Sequence, residues 1–93
     1  MTEVQTFSSV WDAIADTPEQ AANLQVRAEL LQQLCHLIQA NNWKAAEAAK
    51  HCGLTQPRIN DLLRGRISNF SLDALVNIAV ALGQRVHVTL EAD

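Results

Sequence analysis

At 93 residues with 48% apolar content and a formal net charge of -3, the chain is sized for one domain, 1–93, that buries roughly 60 to 65% of its unfolded surface. Apolar runs stay well short of the roughly 18 residues of a membrane span, and the opening Met1-Thr2-Glu3-Val4-Gln5 lacks the basic start and apolar core of a signal peptide, so the expected location is cytoplasmic. The two cysteines, Cys35 and Cys52, have no second pair to complete a metal site and read as reduced core thiols.

The first element expected is a short helix over 9–15, started by Ser9 with Asp12 and given one apolar turn by Val10, Trp11 and Ile14. A stronger start follows. Thr17 can cap, Pro18 suits the first helical position, Glu19 is favoured by the dipole and Gln20 can reach back. The helix it opens runs to about Ala40, with an apolar stripe of Leu24, Ala28, Leu31, Cys35 and Ile38 widened by Leu30, Leu34 and Leu37. Such a stripe is a core-facing surface. Residues 1–22 are thus expected to form a short helix and cap, and 23–82 the helical core.

Asn41 and Asn42 interrupt the stripe, and the next helix is expected over Trp43 to Cys52. Its sequel carries the most information in the chain. Ala49 is small enough for two helices to cross, Gly53 can take the left-handed conformation that ends the first, and Ile59 and Leu62 lie one turn apart on the buried side of the second. Thr55 caps that second helix, which runs to Arg64 and is closed by Gly65. This is the layout of a helix-turn-helix, whose second helix presents its first turn, here Gln56, Pro57 and Arg58, to base edges.

Charge supports this reading by its distribution. Residues 44–66 hold Lys44, Lys50, Arg58, Arg64 and Arg66 against Glu47 and Asp61, a net of +3, whereas 1–43 carry -4 and 67–93 carry -2. An ordinary solvated helical face would show the same segregation. For Gln56 the bland alternative is an exposed first-turn residue, and for Arg58 a surface salt bridge with Asp61.

Ser71 caps a last helix that buries Leu72, Leu75, Ile78, Ala79 and Leu82 and ends at Gly83. Beyond it the period changes to two. Val86, Val88 and Leu90 alternate with Arg85, His87, Thr89 and Glu91, which predicts a half-buried strand within 84–91. A lone strand leaves backbone donors and acceptors unpaired, so residues Val86, His87, Val88, Thr89 and Leu90 are expected to pair with a second copy in a two-fold homodimer. Two recognition helices would then sit about 34 Å apart, facing successive major grooves of a pseudo-palindrome in double-stranded DNA. A frayed tail, or a strand added to another protein's sheet, are the alternatives.

The run Glu47-Ala48-Ala49, Gly53 to Ile59, Asp61 to Arg66, Phe70-Ser71-Leu72-Asp73, Leu75 and Leu82-Gly83 resembles the Xre/Cro-type helix-turn-helix proteins. More narrowly, the chain is similar to the HigA-type antitoxins and small phage-associated regulators, with Phe7 to Ile14, Thr17 to Ala22 and Arg27-Ala28-Glu29-Leu30 also matching. The resemblance implies an all-α, five-helix (lambda-repressor-like) domain that dimerises, represses transcription and neutralises a RelE/HigB-like ribonuclease toxin. Position by position it implies that Gln56 and Arg58 face bases, with Thr55 and Asn60 at the groove edge, and that Lys44, Arg64, Arg66 and Asn69 hold phosphates. Where the family commonly begins its first motif helix with Thr-Gln, this chain has Lys44-Ala45, leaving charge to replace a clamp.

His36, His51 and His87 lie on three different elements, and the adjacent pairs Cys35-His36 and His51-Cys52 point roughly 100° apart on a helix. No metal, cofactor or catalytic constellation is expected, and the chain reads as a non-enzyme. Two functions remain in view: a sequence-specific repressor, and a module that neutralises a toxin with only weak or non-specific DNA binding.

Overall fold

Thr17 has extended backbone (φ -137°, ψ 157°), and its Oγ1 accepts the Gln20 N–H at 3.1 Å, which starts α1, Pro18–Ala40. The computed structural model describes residues 17–92. The helix expected over 9–15 lies outside them. After α1 come α2 (Ala45–Cys52), α3 (Gln56–Leu63), a single 3-10 turn (Ile67–Asn69) and α4 (Leu72–Ala81).

Each start has a local cause. Thr55 Oγ1 accepts the Arg58 N–H at 3.4 Å and Ser71 Oγ accepts the Ala74 N–H at 3.1 Å, so α3 and α4 are capped as their sequences predict. The exception is α2, which begins two residues later than expected. Lys44 is extended and supplies no side-chain cap, and Trp43 leaves the helix to stack on His51, ring centroids 3.9 Å apart and planes 10° from parallel. Ring stacking across the length of α2 replaces a first helical turn.

Helix ends are equally local. Gly53 adopts φ 69°, and the Leu54 N–H then turns back to Ala49 O at 2.9 Å, satisfying a carbonyl that has no partner within the helix. Gly65 and Gly83 close α3 and α4 in the same way, through Arg66 N–H to Asp61 O and Gln84 N–H to Ala79 O. α1 instead ends on asparagines. Asn41 Nδ2 donates to Leu37 O at 2.8 Å, and Asn42 takes φ 58°.

Packing gathers these pieces into one core. α2 lies on α3, α4 lies along α1 and also meets α2, and the 3-10 turn rests on α1. The largest wholly buried side chains are Phe70, Ile38, Ile59, Leu62 and Leu75. Ala48 and Ala49 are buried where α2 meets its neighbours, so the small residue at the crossing is a pair. On α1 the buried set is Ala21, Leu31, Leu34 and Ile38, while Leu24, Ala28, Leu30, Cys35 and Leu37 are only half-buried. The expected stripe is therefore real but centred on its carboxyl-terminal half, where Leu31, Leu34 and Ile38 join the core. On α4, Leu75, Ile78 and Ala79 are buried and Leu72 and Leu82 half-buried.

One expectation is corrected. The residues predicted as a strand, 84–91, form no strand, and none occurs among the described residues. A ladder needs a second row of backbone donors and acceptors, and no described segment of the chain offers one. Val86 is half-buried against the core, whereas Val88 is 74% and Leu90 94% exposed, so the period-two apolar set is split, with Val88 and Leu90 left largely uncovered by the described residues.

Candidate nucleic-acid interface

The turn between α2 and α3 places Thr55, Gln56 and Asn60 on the surface, all three exposed. What makes this surface firm is the layer beneath it. Ile59 and Leu62 are wholly buried, one turn apart, and Ala49 faces the crossing from α2. Because the apolar face of α3 is fixed, the polar first turn opposite it has a defined direction.

Arg58 departs from its neighbours. It is half-buried, its Nη1 donates to Asn69 O at 2.7 Å, and its guanidinium carbon lies 4.1 Å from the centroid of the Phe70 ring. The ion pair of Asp61 goes to Arg66, so the salt-bridge alternative does not describe Arg58. A carbonyl and an aromatic face hold the head group in one place, engaging one of its five N–H donors.

Asp61 has other partners. Its Oδ1 takes Arg66 Nη1 at 3.4 Å and its Oδ2 takes Asn69 Nδ2 at 3.3 Å. The Arg66–Asp61 pair is exposed, with 54% and 26% of the side-chain surfaces accessible, a setting in which an ion pair contributes about 0 to 1 kcal/mol. Arg66 and Asn69, both assigned to phosphates, thus share one carboxylate in the free protein. Lys44 and Arg64 are exposed, and Lys44 sits at the amino end of α2, where the helix dipole also favours an anion.

The segment joining α3 to α4 was the part least visible in sequence. Its 3-10 turn is closed by Asn69 N–H to Arg66 O and Phe70 N–H to Ile67 O, and it delivers Phe70 to the core. Arg27, on α1, reaches over to it: Nη1 donates to Phe70 O at 3.1 Å while Nε donates to Asn23 Oδ1 at 2.6 Å. The one available signal was an aromatic residue set among Ser68, Asn69 and Ser71, a poor place to leave a phenylalanine in water.

The cysteines behave as core thiols. Cys35 donates to Leu62 O at 3.2 Å, and burial pushes both thiols above their ordinary value, Cys52 further by the proximity of Cys35. Both are free. Among the described residues no group of three or more His, Cys, Asp or Glu side chains is placed to hold a metal ion, and no helix is long and apolar enough to cross a membrane. His87 and Thr89 are exposed on the tail with Val88 and Leu90.

A family model described as a helix-turn-helix domain matches residues 13–91. Among curated proteins, none matches the chain. The matched span takes in the four helices of the described residues, the buried pair Ile59 and Leu62 and the glycine turn at Gly53. Such domains typically serve to bind DNA. With the capped α3 set across α2 and nearly the whole sequence matched, the chain belongs to the helix-turn-helix domain family.

Proposed function

We propose that this protein is a sequence-specific transcriptional repressor that binds double-stranded operator DNA as a homodimer. The observation that carries the reading is the exposed set Thr55, Gln56 and Asn60 at α3, standing on a wholly buried Ile59 and Leu62, with Lys44, Arg64 and Arg66 of the same motif also exposed. Gln56 reads adenine through its amide and Arg58 reads guanine, each good pair contributing about 1 to 3 kcal/mol of discrimination. Lys44, Arg64, Arg66 and Asn69 hold the backbone and set register. Preorganisation by Asn69 O and Phe70 favours Arg58 as a reader, because the side chain has less freedom left to lose on binding.

The exposed Val88 and Leu90 support a two-fold dimer in which the tails of two copies pair as antiparallel strands. The similarity to HigA-type antitoxins supports a narrower role, the autoregulator of a toxin-antitoxin pair that neutralises a RelE-like toxin.

Selection of duplexes from a random library, followed by fluorescence anisotropy on the winning and scrambled duplexes, tests the reading. With about four phosphate contacts per subunit, affinity should fall by roughly 10⁴ between 50 and 200 mM salt. A selected pool with no shared half-site would remove the sequence-reading function and leave the toxin-neutralising module, which co-purification with a neighbouring toxin reading frame would then have to support.

A further inference from the structure

Arg27 lies on α1, 43 residues before the carbonyl it holds, and belongs to neither α2 nor α3. Its guanidinium has two anchors. Nε is aimed by Asn23 Oδ1, 2.6 Å away and one helical turn earlier, and Nη1 donates to Phe70 O at 3.1 Å. The preceding carbonyl, Asn69 O, accepts Arg58 Nη1 at 2.7 Å, and the Phe70 ring lies against the Arg58 guanidinium at 4.1 Å. Two arginines from different helices therefore grip successive carbonyls of one turn. Phe70 is wholly buried, so its ring cannot follow a shift in the turn without opening the core.

We infer that Arg27 is a positioning residue for base readout: it fixes the Phe70 carbonyl and ring, and these fix the guanidinium of Arg58. The inference rests on the proposed reading that Arg58 meets a base, and it asks no DNA contact of Arg27. A head group held by an acceptor and an aromatic face reaches its partner base without searching, whereas one on a loosened turn spreads over several directions. Loss of Arg27 should then reduce discrimination while leaving general attraction to DNA in place.

The test is a double-mutant cycle, R27M and R58M singly and together, read as the preference for the selected duplex over one altered at the base pair where R58M relaxes specificity. Methionine keeps most of the stem and removes every donor. R27M is expected to lower the preference about fivefold with little change in affinity for the altered duplex, and to add no further loss in the R58M background. R27K, which keeps the charge but cannot serve Asn23 and Phe70 together, should recover part of the preference. Equal weakening on both duplexes, or effects of the two substitutions that simply multiply, would overturn the role. Should thermal melting show R27M unfolded, N23A removes only the group that aims Arg27. A twofold loss of preference is then expected, and an unchanged preference overturns the inference. If R58M itself leaves preference intact, the reading of Arg58 falls. If R58M lowers preference and R27M does not, only the role of Arg27 falls.

Discussion

Residues 64–71 and residues 84–92 both run largely outside helices, yet the structure treats them in opposite ways. The first stretch is bound at nearly every step: Arg66 and Asn69 to Asp61, Asn69 O to Arg58, Phe70 O to Arg27, and the Phe70 ring to the core. Among the described residues the second is held by the Gln84 N–H on Ala79 O and by Val86 against the core, with Val88 and Leu90 left in solvent. Regular secondary structure is therefore not what ties a segment to the rest of the fold here. Side chains donating to backbone carbonyls do it in the first stretch, and a β pattern without a partner fails to do it in the second.

The sharpest contrast comes from cutting an apolar side chain in each stretch. Phe70→Ala should cost about 3 to 5 kcal/mol, by leaving a cavity in the core, and urea unfolding should show a large fall in midpoint. Leu90→Ala should stay within about 0.5 kcal/mol. Similar losses at the two positions would mean that the tail is covered after all.

Next in size is the backbone itself. Gly53 sits at φ 69°, and a Cβ built there meets nothing within 4 Å. Gly53→Ala therefore isolates the conformational penalty, about 1 to 2 kcal/mol, which thermal melting should show as a drop of several degrees. An unchanged melting temperature would mean that the turn can be made in another conformation.

Asp61→Asn touches the bound stretch from its charged side. Stability should change by less than about 0.5 kcal/mol, since the Arg66 pair is exposed. Affinity for a scrambled duplex should rise about three- to tenfold at 50 mM salt, because Arg66 and Asn69 lose their competitor and each subunit sheds one negative charge. An anisotropy titration giving equal or weaker binding would show that Asp61 orients these groups rather than occupying them.

The helix boundaries were legible because their causes are side chains next to the boundary. Thr17, Thr55 and Ser71 each place an oxygen over the first turn, and Gly53, Gly65 and Gly83 each permit the reversal after the last. The buried pair Ile59 and Leu62 was legible for the same local reason. Trp43 was misplaced inside α2 because its competing partner, His51, is eight residues away. Arg27 and the true partners of Arg58 stayed hidden for a deeper reason. Both arginines bond to carbonyls of the backbone, which every residue carries, so no residue type at the far end announces them.

The tail gives the smallest effect on the folded chain. Alternation over 85–91 predicts that Val86, Val88 and Leu90 share a face, but pairing is decided by whether another row of N–H and C=O groups is present. Replacing Val88 and Leu90 together by lysine should leave the unfolding of the single chain within about 0.5 kcal/mol, as both are already exposed. In a dimer built on these strands the same change sets like charges across the two-fold axis and removes the apolar contacts between copies. Sedimentation should then show the wild type as a dimer and the variant as a monomer. DNA affinity should fall with the loss of linkage between the two half-site contacts. If the variant sediments as the wild type does, the tails are not the joint. The period-two pattern would then belong to a face meant for a different protein.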